Sequence, residues 1–134
     1  MIKGGGGALL REKIVARSTD QFIVLIHEDK YVPVLGAPIP IPVEVIPFGW
    51  PNTARNIEAL GGKSTLRKEK EQVFRTDEGN YILDLMIDRI LDPAVLESRL
   101  NQIPGVVENG LFVNMTSTLI IGKANGVEIK QPPS

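Results

Sequence analysis

The sequence predicts an α/β fold that combines a remnant of a Rossmann-like parallel-sheet domain with a smaller β-α-β-β-α-β unit of the ferredoxin-like kind. Three observations support this prediction. A glycine-rich loop and a helix-like segment precede "QFIVLI", a continuous β-branched apolar run typical of a buried parallel strand. From residue 36 to 113, two helix-like segments alternate with strand-like runs in the ferredoxin-like order. The tail "TLIIGKANGVEIK" has the pattern of a hairpin turning at Asn125-Gly126.

The first part of the chain predicts one helix and one strand. "ALLREKIVAR", from Ala8 to Arg17, carries apolar residues almost all round, as a helix covered on several sides does. The next strand, within "QFIVLI", is expected to be buried on both faces, and "HEDK" follows it where open α/β sheets bind ligands. Residues 1–35 and 114–134 are therefore assigned to one α/β domain. Its remaining partners are expected in another molecule or in a longer chain.

The second unit begins with "GAPIPIPVEVIPF", a proline-rich connector that runs into a strand. "NTARNIEALGG" predicts a helix with Asn52 or Thr53 as N-cap and Gly61 just beyond its end. Strand material follows in "STLRKE" and "QVFRT", and the alternation in "YILDLMI" predicts a strand with one apolar face. Asp92 is the expected cap of a further helix with Pro93 in its first position. The run "GVVENGLFV" supplies the last strand.

Composition limits the kinds of function that this chain can have. The 134 residues carry a formal net charge of −1 without a basic block, so nucleic acid is not expected as a partner. The apolar runs are far shorter than the ~18 residues that a membrane span needs, and no signal-peptide pattern is present. Since there is no cysteine and His27 is the only histidine, neither a metal nor a Cys-based nucleophile is expected. A cytoplasmic location is the default expectation.

The strongest local feature is the glycine run in "IKGGGGALLREK". Successive glycines allow backbone N–H groups to converge on an anion, and the N-terminus of the following helix adds its positive dipole end. Lys3 places a full positive charge beside this loop. The alternative is a flexible linker or a tight turn without a ligand. The run is not a Walker loop, because no Gly-Lys-Ser/Thr sequence ends it.

Glu12 is the candidate general base. On the predicted helix it stacks between Ala8 and Ala16, on a face without another charged residue. A carboxylate among small apolar neighbours is desolvated, and desolvation suits a general base. The alternative is an exposed glutamate that pairs with Lys13 or Arg17. Glu12 and the glycine run together predict a site for proton transfer beside an anion.

Other polar residues carry weaker predictions. Lys30, at the exit of the first strand, could hold a phosphate, although a solvated surface lysine is the alternative. His27 is predicted to be a structural or surface residue. Asp84 and Asp88 lie on the polar face of their strand and are expected to be solvated.

Four segments, in order along the chain, resemble one known family: "IKGGGGALLREK", "IPVEVIPF", "TDEGNYILDL" and "LDPAVLESRLNQIPGVVENGLF". They are similar to motifs of type A ribose-5-phosphate isomerases, enzymes of the pentose phosphate pathway, and the resemblance covers essentially the whole chain. It implies interconversion of ribose 5-phosphate and ribulose 5-phosphate through a cis-enediolate, without a metal or other cofactor. It implies that Glu12 is the catalytic base and that Lys3 stabilises the enediolate. The substrate-binding residues that it implies are Lys3, Gly4, Gly5, Gly6, Gly7 and Lys30.

The resemblance also has consequences for assembly. It implies that residues 36–113 form a lid and oligomerisation domain and that the protein is a homo-oligomer, either a dimer or a tetramer. The family's "Asp-Gly-x-Asp-Glu" and "Gly-x-Gly-Ser-Thr" motifs, which belong to its amino-terminal part, do not occur in this sequence. This chain alone is therefore expected to be inactive. The alternatives are a non-catalytic sugar-phosphate-binding or oligomerisation remnant, and complementation by a separate amino-terminal chain.

Overall fold

The structure, a computed structural model, describes residues 1–132, so the last two residues assigned to the α/β domain lie outside it. The described part contains three α-helices and nine strands. The helices are α1 (Leu9–Arg17), α2 (Trp50–Glu58) and α3 (Pro93–Asn101). The strands are β1 (Ile23–His27), β2 (Ile41–Val45), β3 (Lys63–Leu66), β4 (Lys68–Glu69), β5 (Gln72–Val73), β6 (Tyr81–Met86), β7 (Val106–Asn109), β8 (Thr118–Lys123) and β9 (Gly126–Lys130). No helix in this part is long and apolar enough to cross a membrane.

One sheet contains three strands in the order β1-β8-β9. β1 and β8 are parallel, with Ile23 opposite Thr118, and β8 and β9 form the predicted antiparallel hairpin. Because Lys123 pairs with Gly126, the two loop residues are 124 and 125, one position earlier than predicted. The parallel pair and the mixture of helices and strands confirm the α/β fold class.

The prediction that β1 is buried on both faces relies on partners expected in another molecule or in a longer chain, and it stays a prediction. Val24 is buried at 8% exposure, whereas Leu25, on the opposite face, is 72% exposed. A continuous apolar run indicates a strand that can be covered on both sides. Within residues 1–132, only one side of β1 is covered.

The second sheet contains four strands in the order β3-β6-β2-β7, and all neighbours are antiparallel. With α2 and α3 between its strands in sequence, it has the predicted β-α-β-β-α-β, ferredoxin-like arrangement. One face packs on α2 and α3. The buried core residues there include Val43, Val45, Leu83, Leu85, Ile57 and Leu100. β4 and β5 form a separate small hairpin.

The two helices of this unit begin differently. Asp92 caps α3 as predicted, because its Oδ1 accepts a hydrogen bond from the Val95 N–H at 3.1 Å. The predicted cap of α2 is wrong, since α2 begins at Trp50 with Gly49 as N-cap. Gly49 has a φ of +67°, which a glycine adopts without steric cost, and the helix therefore starts before Asn52.

Helix α1 lies on the opposite face of the four-stranded sheet and contacts β7 and β2. Leu9 is fully buried in this contact, and the Lys13 ammonium donates to Glu108 of β7 at 2.8 Å. Ile14 and Val15 are 59% and 61% exposed, so residues 1–132 cover only part of the helix, and the further partners that its apolar pattern predicts are expected outside them. The covered side is the one that carries Leu9 and Lys13.

Glu44 of β2 lies on the same face of the sheet as Glu108, which is opposite it in the strand pairing. Its side chain is 1% exposed and accepts a hydrogen bond from Asn80 Nδ2 at 2.9 Å. Burial raises the pKa of the Glu44 carboxyl above its ordinary value of 4.5. The folded protein therefore holds this proton at a pH at which the unfolded chain has released it.

We expect Glu44→Gln to reduce the loss of thermal stability that accompanies a rise in pH above 4.5, the ordinary pKa of a glutamate. Stability from a carboxyl with a raised folded pKa is present below the unfolded value and falls as pH rises towards the folded value. Glutamine keeps an acceptor for Asn80 but does not titrate. The melting temperature as a function of pH measures the effect, with exposed Glu69→Gln as control. Equal pH dependence in Glu44→Gln and the unmodified protein would contradict the prediction.

Candidate active site

Lys3 is held by a segment more than one hundred residues away in sequence. Residues 1–3 lie antiparallel to residues 110–112, with a bridge between Ile2 and Leu111. The Lys3 N–H donates to the Gly110 carbonyl at 2.8 Å. A Cβ at position 110 would overlap the Lys3 carbonyl oxygen, so only glycine permits this close approach. The Lys3 backbone is thereby fixed against the end of the four-stranded unit.

The glycine run forms a tight turn rather than a flexible linker. Gly4 and Gly7 have φ values of +90° and +91°, and the Gly7 N–H donates to the Gly4 carbonyl at 2.9 Å. A Cβ on Gly4 would overlap the Leu9 Cβ, and a Cβ on Gly7 would overlap the ring of Phe74. The first and last glycines are therefore required by the fold. Gly5 and Gly6 are exposed, with no atom near their missing side chains.

The middle of the turn leaves backbone donors available. Neither the Gly5 nor the Gly6 N–H donates a hydrogen bond to any residue from 1 to 132. Helix α1 begins directly after the turn, and Ala8, its N-cap, provides no side-chain cap. Free amides and the N-terminal dipole of a helix both favour an anion.

Glu12 faces Lys3 across the first turn of α1. The Lys3 Nζ lies 3.4 Å from Glu12 Oε2, and each side chain is about one-third exposed, at 32% and 37%. Oε2 itself is shielded from solvent and accepts no hydrogen bond from the described residues. The alternative prediction, that Glu12 pairs with Lys13 or Arg17, is wrong. Lys13 forms ion pairs with Glu108 and Glu97, and Arg17 forms no ion pair with Glu12. An acceptor oxygen and an ammonium thus lie side by side with unused hydrogen-bonding capacity.

Lys30 lies elsewhere in the described structure. It ends a single 3₁₀ turn (Glu28–Lys30) after β1 and is exposed beside an open groove lined by β1 and β8. No ion pair within residues 1–132 joins Lys30 to Glu12, which pairs with Lys3 instead. His27 has the predicted structural role, because its Nδ1 accepts the Asp29 N–H at 3.3 Å and caps the turn. A phosphate-binding role for Lys30 remains a prediction.

Two residues of the four-stranded unit and its hairpin contact the glycine turn, and a third holds one of them in place. The Arg67 Nη1 donates to the Gly5 carbonyl at 3.0 Å, and the Phe74 ring lies against Gly7. Asp84, predicted to be solvated, instead binds Arg67 through both carboxylate oxygens and is 21% exposed. No local motif marks these residues, because only strand pairing brings them to a loop some sixty positions earlier.

Residues 1–132 contain no cluster of three or more histidine, aspartate or glutamate side chains that could hold a metal ion. The groups that the described residues bring together at this site are a carboxylate, an ammonium and free backbone amides. A protein that combines an α/β fold with these groups at one glycine turn belongs to the class of proteins that can transfer a proton beside a developing oxyanion.

Comparison with known proteins identifies the family. The family model described as ribose 5-phosphate isomerase A (phosphoriboisomerase A) matches residues 1–126. The chain therefore belongs to the ribose-5-phosphate isomerase A family. A ribose-5-phosphate isomerase A from Jannaschia sp. is 53% identical over 97% of this chain, and the match covers 52% of that protein.

Solved structures agree with the fold. Ribose 5-phosphate isomerase A from Methanocaldococcus jannaschii matches with a TM-score of 0.92 and 40% identity, over 98% of this chain and 59% of that one. A D-ribose-5-phosphate isomerase in complex with phospho-erythronic acid matches with a TM-score of 0.93 and 39% identity, over 98% of this chain and 58% of that one. The chain thus spans about half the length of the curated relatives that it matches.

Proposed function

We propose that this chain forms part of an enzyme that interconverts ribose 5-phosphate and ribulose 5-phosphate through a cis-enediolate. The observation that supports this most directly is the Lys3–Glu12 pair at the glycine turn, with an Oε2 that accepts no hydrogen bond. Membership of the ribose-5-phosphate isomerase A family supports the choice of substrate.

In the proposed reaction, Glu12 removes the proton from C2 of the open-chain aldose. The electrons of the C2–H bond form the C1=C2 double bond, and negative charge develops on O1. The Lys3 ammonium and the amides of the glycine turn stabilise this charge. Glu12 then returns its proton to C1, while the O2 hydroxyl proton passes to O1 and a carbonyl forms at C2. No redox partner is needed, because one carbon is oxidised as its neighbour is reduced.

A ligand of one solved relative is consistent with this scheme. Phospho-erythronic acid, named in the description of that complex, carries a carboxylate and a phosphate. A carboxylate is planar and anionic, as the enediolate is, so the same donors would bind both groups. We propose that Lys3 and residues 4–7 bind the enediolate end of the substrate and that Lys30 lies near its phosphate.

We also propose that two parts of the chain have different roles. Residues 1–35 and 114–134 form part of the α/β catalytic domain, and residues 36–113 form a lid and oligomerisation domain in a cytoplasmic homodimer or homotetramer. Large exposed apolar side chains in this second segment, such as Phe48 at 89% and Leu91 at 82%, support a contact surface there.

A chimaera tests the proposed activity. Residues 1–134 of this chain would replace the matching segment of the Jannaschia relative, of which the match covers 52%. We expect the chimaera to convert ribose 5-phosphate to ribulose 5-phosphate and the 134-residue chain alone to show no turnover, because its sequence lacks the Asp-Gly-x-Asp-Glu motif.

Each of two outcomes would contradict one of these expectations. Turnover by the 134-residue chain alone would show that the missing motif is dispensable. A folded chimaera that binds phospho-erythronic acid without turnover would favour the non-catalytic, sugar-phosphate-binding alternative.

A further inference from the structure

Arg67 connects the four-stranded unit to the glycine turn with little freedom of its own. Its Nε and Nη2 donate to the two oxygens of Asp84 at 2.8 and 2.6 Å, and its side chain is 17% exposed. Its backbone is paired on both sides, because its N–H donates to Ile82 and its carbonyl accepts from Phe74, each at 2.9 Å. The third guanidinium nitrogen, Nη1, donates to the Gly5 carbonyl at 3.0 Å.

This contact determines the direction of a neighbouring amide. The Gly5 carbonyl and the Gly6 N–H belong to the same peptide plane, and the peptide bond between them is trans, because the single cis bond within the described residues precedes Pro38. In a trans peptide the C=O and N–H point in opposite directions. Holding the Gly5 oxygen towards Arg67 therefore turns the Gly6 N–H away from it. In that direction the Gly6 N–H has no hydrogen-bond acceptor among residues 1–132.

The same contact makes that amide a stronger donor. A hydrogen bond from a cation to the carbonyl polarises the peptide group and leaves more positive charge on its N–H. Glycine itself resists rotation of this peptide plane less than any other residue does, because it has no Cβ. Without Arg67, the plane that joins two exposed glycines would have no side chain to fix its orientation.

We propose that Arg67 is a positioning residue for catalysis: it fixes and polarises the Gly6 N–H so that this amide can donate to the oxyanion of the enediolate. The proposal rests on the proposed isomerase function. It assigns Asp84 and the four-stranded unit a part in the reaction, since Asp84 holds the guanidinium in place. Arg67 touches no reacting atom and acts only through the Gly5–Gly6 peptide.

Kinetics of the chimaera test this role. We expect Arg67→Gln to lower kcat by about 10- to 100-fold, somewhat less than the loss of a complete oxyanion donor. KM for ribose 5-phosphate should stay within about twofold, because the amide acts mainly on charge present in the transition state. The inhibition constant of phospho-erythronic acid should rise in parallel with the loss of kcat, because its carboxylate carries that charge in the ground state.

Arg75 offers a matched control. Its Nη1 also donates to a glycine carbonyl, that of Gly79 at 3.0 Å. Its guanidinium lies over the Tyr81 ring, as that of Arg67 lies over the Phe74 ring. Arg75→Gln should leave kcat, KM and inhibition unchanged. If Arg67→Gln does not fold, the same kinetic measurements on Arg67→Lys test the proposal. Lysine keeps a cation beside Asp84 but cannot also provide the planar fork that reaches Gly5.

The outcomes separate the two proposals. If the folded, unmodified chimaera does not convert ribose 5-phosphate, the proposed function fails. If Glu12→Gln abolishes turnover while folded Arg67 variants keep the unmodified kcat, the Arg67 proposal alone fails. The Arg67 proposal also fails if Arg67→Lys keeps the full kcat of the unmodified chimaera. It fails as well if the kcat of Arg67→Gln falls while its inhibition constant for phospho-erythronic acid is unchanged.

Discussion

Glu12→Gln in the chimaera is expected to lower kcat by about 10²- to 10⁴-fold, the usual contribution of a general base. Glutamine has nearly the same shape as glutamate, so the helix and the approach of Lys3 should persist. It cannot accept a proton from C2, whereas the donors that bind the substrate are unaffected. KM for ribose 5-phosphate should therefore change little. Steady-state kinetics measure both constants.

The control for Glu12→Gln is Glu69→Gln, which removes the same charge from an exposed position in the β4–β5 hairpin. It should leave turnover unchanged. Release of tritium from C2 of labelled substrate provides a second measurement, because it follows proton removal itself. Tritium release at the normal rate by Glu12→Gln would assign the base to another residue.

Gly4→Ala is expected to destabilise the fold and to disrupt the site together. Gly4 has a φ of +90°, and an L-residue in the left-handed region costs about 1–2 kcal/mol. The new Cβ would overlap the Leu9 Cβ, which is attached to the first turn of a helix and cannot rotate away. Overpacking of this kind adds about 1–3 kcal/mol. Because Leu9 starts the helix that carries Glu12, relief of the overlap must move Glu12 relative to Lys3.

Gly5→Ala is the matched control for stability. Gly5 has no positive φ, and a Cβ there meets no atom within 4 Å. We expect thermal unfolding of the chimaera to show a clear decrease in melting temperature for Gly4→Ala and almost none for Gly5→Ala. Equal melting temperatures for the two variants would show that the turn adapts and that Gly4 is not required.

Much of the fold follows from local patterns in the sequence. The Asp92 cap, the alternation in β6 and the order of the elements in residues 36–113 all depend on neighbouring residues, and the structure agrees with them. The start of α2 was placed too late because the φ of +67° at Gly49 outweighed the capping preference of Asn52. The apolar run in β1 shows what the strand can bury, whereas residues 1–132 cover only one of its faces.

The residues of the candidate site also divide into those that local sequence patterns predict and those that they do not. Lys3, the glycine turn and Glu12 lie within a dozen residues, so helix geometry and backbone chemistry were enough to group them. Arg67 and Asp84 were missed because their contacts depend on strand pairing, in which Asp84 lies opposite Thr65. The buried Lys13 was missed for a similar reason, since its carboxylate partners Glu97 and Glu108 come from distant elements.

The pairing of residues 1–3 with residues 110–112 has a consequence for how the chain folds during synthesis. The hydrogen bond between Met1 and Phe112 spans 111 positions, and that between Lys13 and Glu108 spans 95. At ordinary translation rates of about 5–20 residues per second, the glycine turn and Glu12 are synthesised roughly 5–20 s before these partners. Contacts this distant in sequence also form slowly. The carboxylate and the ammonium of the site are thus fixed in place only after segments about one hundred positions further along the chain have been synthesised.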